Sequence, residues 1–119
     1  MTKSNDNPDM VVQNIRREGT VTVLELAGDI DLHRSVELRE CLLEIMQKKP
    51  KTLVINLSQV GFMDSSGLAT LVEAMQLSRR YGGGIKLVGV QQRVRSILEI
   101  SRLDSIFPMF ENEAEALAS

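Results

Sequence analysis

Tryptophan is absent from this chain of 119 residues, and cysteine, histidine and tyrosine occur once each, as Cys41, His33 and Tyr81. A lone cysteine excludes an internal disulfide, and its place in an apolar helical pattern predicts a small, buried side chain. One cysteine and one histidine at unrelated positions cannot supply the ligand set of a zinc centre, so no metal and no cofactor is expected. The near absence of large aromatics removes the platforms on which nucleobases stack. The formal charge is only -2, and Lys and Arg are scattered through the predicted helices rather than gathered in a stripe, which argues against a nucleic-acid partner. Nor does any apolar run approach the roughly 20 residues that cross a bilayer, and the polar start "MTKSNDNPDM" lacks the apolar region of a secretory signal. A cytoplasmic protein with no membrane partner is expected.

What is present describes one domain, since a chain this long with nearly half its residues apolar closes a single core and leaves no room for a second. Residues 1–8 hold little to bury and predict a disordered leader, with the domain running over 9–119. Met10 to Arg17 and Thr20 to Ala27 favour strands, and "EGT" between them offers a glycine turn, hence an antiparallel hairpin. "GDIDLHRS" supplies turn and capping residues before Leu38, Leu42, Ile45 and Met46, which mark one face of a helix that stops at "QKKPK".

"TLVINL" (52–57) and "IKLVGV" (85–90) are short apolar runs of the kind found in strands covered on both faces. Between them Leu68, Leu71, Val72 and Met75 predict a helix over 66–80, closed by "YGGG". Val94, Ile97 and Leu98 mark a third helix, "IFPMF" a last edge strand, and "ENEAEALA" a short terminal helix. Helices alternating with apolar strands imply parallel crossovers. The fold class is therefore α/β: one domain with a mixed, mostly parallel sheet, an N-terminal antiparallel hairpin and about four helices.

Chemistry has few footholds. Ser65, His33 and Asp31 or Asp64 are the residue types of a hydrolytic triad, yet "DSSG" lacks the G-x-S-x-G elbow that exposes a nucleophile. The glycines at 82–84 run from helix into strand, the wrong polarity for a phosphate cradle. "DSSG" itself stands at a strand-to-helix junction, where Asp or Ser side chains satisfy orphan N–H groups. Capping accounts for one hydroxyl more readily than for two. Phe62 and Met63 beside it fit either the core or an exposed apolar rim of the kind that marks a partner surface.

The segments "LAGDIDLHRS", "TLVINLSQV", "FMDSSGLATLVEA" and "GGGIKLVGVQQRVRSILEISRLDSIFPMF" together resemble the bacterial anti-sigma factor antagonists, single-domain members of the STAS family, from about Met10 to the C-terminus. The resemblance implies a STAS-like fold and a non-enzymatic protein whose serine directly after the aspartate, Ser65, is phosphorylated by a partner that is both anti-sigma factor and ATP-dependent serine kinase. Unmodified, such a protein binds that partner and frees the sigma factor; modified, it lets go, and a serine phosphatase resets it. ATP and magnesium belong to the kinase.

By the same resemblance Ser66 caps the helix and Asp31 lies near the phosphoacceptor, with Asp29 standing where relatives often have Glu. The implied partner surface takes in Asp29, Asp31 and His33, then Phe62, Met63, Asp64, Ser66, Gly67, Leu68 and Leu71, and Ile97 on the following helix. Phosphorylation would add about -1.5 to -2 charges beside these acids, which predicts that the docking surface fails while the fold survives. A non-sigma output, a subunit of a lipid-transport complex and a small hydrolase using Ser65 and His33 are the alternatives. A monomer or weak dimer is expected, since Pro108 opposes long edge pairing.

Overall fold

Gly19, at φ 63°, makes the turn between two neighbouring strands. Its left-handed backbone, which glycine adopts without penalty, reverses strand β2 (Val12–Glu18) into β3 (Val21–Ala27) as the predicted antiparallel hairpin. The structure, a computed structural model, describes residues 2–4 and 10–119. After the hairpin come helix α1 (Leu32–Gln47), β4 (Thr52–Gln59), α2 (Ser65–Arg80), β5 (Gly84–Val88), α3 (Gln92–Ile100), β6 (Met109–Phe110) and α4 (Glu113–Ala118).

Of the leader expected over residues 1–8, Thr2–Ser4 instead form a first strand, β1, paired antiparallel with β2 in the register Thr2↔Arg16 and Ser4↔Asn14. The backbone groups of an edge strand recruit a neighbour even where composition offers nothing to bury. Residues 1 and 5–8 lie outside the described residues. The six strands stand side by side in sequence order, with β3, β4, β5 and β6 mutually parallel.

Period-two alternation assigns the apolar residues of the central strands to two faces. Leu24 and Leu26 of β3, Leu53, Ile55 and Leu57 of β4, and Ile85 and Leu87 of β5 join Leu38 and Leu42 of α1, Leu71 and Met75 of α2, and Val94 and Leu98 of α3 in the main core. Val23, Val54 and Val88 point the other way and meet Ala116 of α4 in a smaller one. Three helices thus cover one face and α4 covers part of the other. This sandwiching explains why "TLVINL" reads as an almost unbroken apolar run.

Arg16 binds Glu113 at 2.6 Å and Asn56 donates to the same carboxylate at 3.2 Å, which fastens α4 to the sheet. Burial by itself raises the Glu113 pKa, but these two partners outweigh it and hold the group below its ordinary value. The edge strand predicted at "IFPMF" is only Met109–Phe110, although the Pro108 carbonyl still accepts from Leu87 N–H at 2.9 Å.

Candidate functional site

Two loops on the same rim of the sheet, 28–31 before α1 and 60–64 before α2, are stitched to each other. Ile30 and Met63 form a parallel bridge, with Ile30 N–H donating to Phe62 O at 2.9 Å and Asp64 N–H to Ile30 O at 3.0 Å. Each loop ends in an aspartate that caps the helix it feeds. Asp31 Oδ1 accepts from Arg34 N–H at 2.9 Å, and Asp64 Oδ1 accepts from Ser66 N–H at 2.9 Å and Gly67 N–H at 3.2 Å. These are the orphan donors of a helix start, which a carboxylate satisfies well.

Ser66 does not cap α2, as the resemblance had implied. It donates its own hydroxyl to the capping carboxylate. That bond does most to hold the Asp64 pKa below its ordinary value; partial burial opposes it, and the N–H groups of Gly67, Ser66 and Leu32 reinforce it. Asp64 thus caps α2 with its carboxylate while its own N–H holds the loop that leads into α1.

Ser65 is the first residue of α2 and is exposed. Among the described residues its hydroxyl makes no hydrogen bond, so one serine of the pair is committed to the cap and the other stands clear. Asp29, Asp31 and His33, in and just after the loop stitched to the one before Ser65, are exposed as well, and the Asp29 carboxylate lies 3.6 Å from where a Cβ on Gly61 would stand. His33 hydrogen-bonds to neither Ser65 nor Asp31 among the described residues, so no triad is assembled.

The structure corrects several expected contact residues. Met63 and Leu71 are fully buried and Leu68 nearly so, because they form the packing beneath the loop rather than a rim around it. Gly67 is buried as well, and a Cβ there would fall 2.5 Å from Met63 Cγ and 3.0 Å from Ile30 Cγ2. The missing side chain is what lets the first turn of α2 settle on the stitched loops. Phe62 and Ile97 are half-buried and can be touched from outside.

Three residues near the site escaped the sequence reading. Leu32 and Val36 of α1 are 72% and 57% exposed, a large apolar pair on open surface. Their spacing of one helical turn, off the Leu38–Leu42–Ile45 stripe, was the available signal. Arg93 of α3 lies 5.7 Å over the Phe62 ring, a cation–π contact that no local pattern announces.

The paired helix caps and the free serine stand on the rim of a six-stranded mixed sheet. The chain matches the family model of the STAS domain over residues 12–116 and belongs to that family. It is 33% identical over 98 residues to an anti-sigma F factor antagonist of Paenibacillus polymyxa, a match spanning 82% of this chain and 84% of that one. An anti-sigma-F factor antagonist of Mycobacterium tuberculosis is 33% identical over 113 residues, 92% of this chain and 89% of the relative. The crystal structure of an anti-sigma factor antagonist from Mycobacterium paratuberculosis shares the fold, with a TM-score of 0.83 over 98% of this chain and 97% of that one at 24% identity.

Proposed function

We propose that this protein is an anti-sigma factor antagonist working by partner switching in the cytoplasm. Unmodified, it docks an anti-sigma factor that is also a serine kinase, through the rim formed by Asp29, Asp31, His33, Leu32, Val36, Phe62 and Ile97, and the sigma factor is freed. The kinase, supplying its own ATP and magnesium, phosphorylates Ser65, the complex parts, and a serine phosphatase restores the hydroxyl. The chain is a binding module and performs no chemistry of its own.

The observation that carries this reading is the division of labour at "DSSG": Asp64 and Ser66 complete the cap, which leaves Ser65 exposed and without a structural task. A phosphate there adds about -1.5 to -2 charges next to Asp29, Asp31 and Asp64. Like charges forced together across an interface cost several kcal/mol, and each 1.4 kcal/mol or so is tenfold in affinity. A loss of about a hundredfold or more follows without any change of fold.

The test is to mix the purified protein with its anti-sigma kinase and ATP and locate the phosphate by mass spectrometry. It should sit on Ser65. Ser65→Ala should stay unmodified and still bind, and Ser65→Asp should bind less well. Phosphate found only on Ser66 or Thr70, or equal binding of modified and unmodified protein, would refute the assignment.

A further inference from the structure

At the end of the molecule opposite Ser65, about 24 Å away along the 16 residues of α2 at a rise of ~1.5 Å each, a second surface has no part in the switch. The last turns of α1 and α2 bound an open groove of about 410 Å³, floored by Leu43, Met46, Leu77 and Tyr81. Tyr81 is anchored by its hydroxyl, which donates to Pro50 O at 2.7 Å. Lys49 and Arg80 line the groove, and both are exposed. Among the described residues neither forms an ion pair. In a chain of net charge -2, two cations thus flank one apolar floor. The carboxylates of Glu37, Glu40 and Glu44 line a different groove, against β2.

Arg80 also complements the helix dipole of α2, but that role does not explain the apolar floor beside it. Lys49 holds φ 50° just after α1, with its N–H donating to Met46 O at 3.0 Å, the same left-handed helix end that Arg102 makes at φ 60° after α3; glycine fits such a position.

We infer that this groove docks an acidic peptide segment bearing one bulky apolar side chain, the side chain entering between Leu43 and Leu77 while its flanking carboxylates meet Lys49 and Arg80. The apolar groups are recessed, with Met46 buried and Leu43, Leu77 and Tyr81 half-buried. That shape receives a side chain, whereas insertion into a lipid surface needs apolar groups that protrude. The site is independent of the reading of Ser65, and the two can fail separately.

The test uses a fluorescein-labelled Glu/Ser peptide with one central tryptophan, followed by fluorescence polarisation at low salt. Binding should weaken about tenfold when that tryptophan becomes serine, the loss expected for one bulky apolar side chain, and should fall with added salt. Lys49→Gly with Arg80→Gln should weaken it about fivefold to tenfold, as two partly exposed charge pairs would. Lys49→Gly suits the left-handed backbone, so its melting temperature should hold or rise and exclude misfolding as the cause. Ser65→Asp should bind the peptide as well as wild type does. Absence of binding, indifference to the tryptophan, equal capture of a lysine-rich peptide, stronger attachment to phosphatidylserine vesicles lost with the same substitutions, or self-association through this face in sedimentation would each overturn the inference.

Discussion

Asp64→Ala should separate the structural half of "DSSG" from the half proposed to signal. The substitution removes an N-cap, a loss of about 1 kcal/mol. It also strips the Ser66 hydroxyl of a charged acceptor, and hydrogen bonds to charged groups contribute about 1.5 to 3 kcal/mol. Asp64 is half-exposed, so solvent screening favours the lower figure and the sum comes to about 2.5 kcal/mol. For a domain of this size that lowers the melting temperature by roughly 10 °C. Asp64→Asn keeps an acceptor for Ser66 and Gly67 and should lose about half as much, since Asn caps as well as Asp does.

The same carboxylate gives a pH signature. Its folded pKa lies below the ordinary 3.8, so its contribution is complete above that value and disappears as pH falls through the lower, folded one. Asp64→Asn should therefore narrow its stability gap to wild type in strongly acidic buffer. Ser65→Ala, at an exposed position with no hydrogen bond, should shift stability by less than about 0.5 kcal/mol. Urea melts of the four proteins at neutral and acidic pH measure all of this. If Ser65→Ala proves as destabilising as Asp64→Ala, Ser65 is a structural residue and the division of labour is wrong.

Gly67→Ala should destabilise by about 1 to 3 kcal/mol, because its Cβ would strike the buried Met63 and Ile30; a melt equal to wild type would show that Met63 yields. Glu113, held below its ordinary 4.5 by Arg16 and Asn56 against the opposing effect of burial, stabilises the docking of α4 above that value, and the contribution is lost as pH falls through the lower folded one. Protection factors of the α4 amides, measured against the intrinsic rate at each pH, should fall in acid for wild type and change less with pH in Glu113→Gln. Phe107→Ala removes a fully buried ring and should lose about 3 to 5 kcal/mol, read from urea unfolding. Phosphate on Ser65 should titrate in ³¹P spectra at or above the ordinary value near 6, since acids surround it; a marked depression would mean that it has captured the helix donors.

The helices and central strands were legible because they rest on local rules: apolar spacing, caps and stop residues. What escaped is tertiary. The start of α1 reads as a loop because Leu32, His33 and Val36 are exposed and break the stripe of Leu38 and Leu42, yet Asp31 already begins the helix there. Met63 and Leu71 read as rim candidates since nothing in "FMDSSGL" reveals the Ile30–Met63 bridge that turns Met63 inward. The choice between Asp64 and Ser66 as cap depends on rotamers that sequence does not display. Thr2–Ser4 pair with β2 at the sheet edge, which composition cannot register, and the groove flanked by Lys49 and Arg80 appears only once the ends of α1 and α2 are brought together.

The cap geometry also bears on what a phosphate at Ser65, as proposed above, would meet. A helix N-terminus ordinarily welcomes a phosphate, because unsatisfied N–H groups and the helix dipole favour negative charge. Here Asp64 has already taken the N–H groups of Ser66 and Gly67, and the Leu68 N–H is spent on Asp64 O at 3.1 Å. A phosphate arriving on Ser65 would therefore meet a helix start whose Ser66, Gly67 and Leu68 donors are occupied and whose capping residue, Asp64, is negative, so little of its charge would be absorbed by the fold. It would remain displayed at the surface, where only an approaching partner can feel it. A neutral cap at position 64 would leave donors for the phosphate, draw it inward and blunt the repulsion, which gives the acidic residue before the serine a reason beyond helix stability.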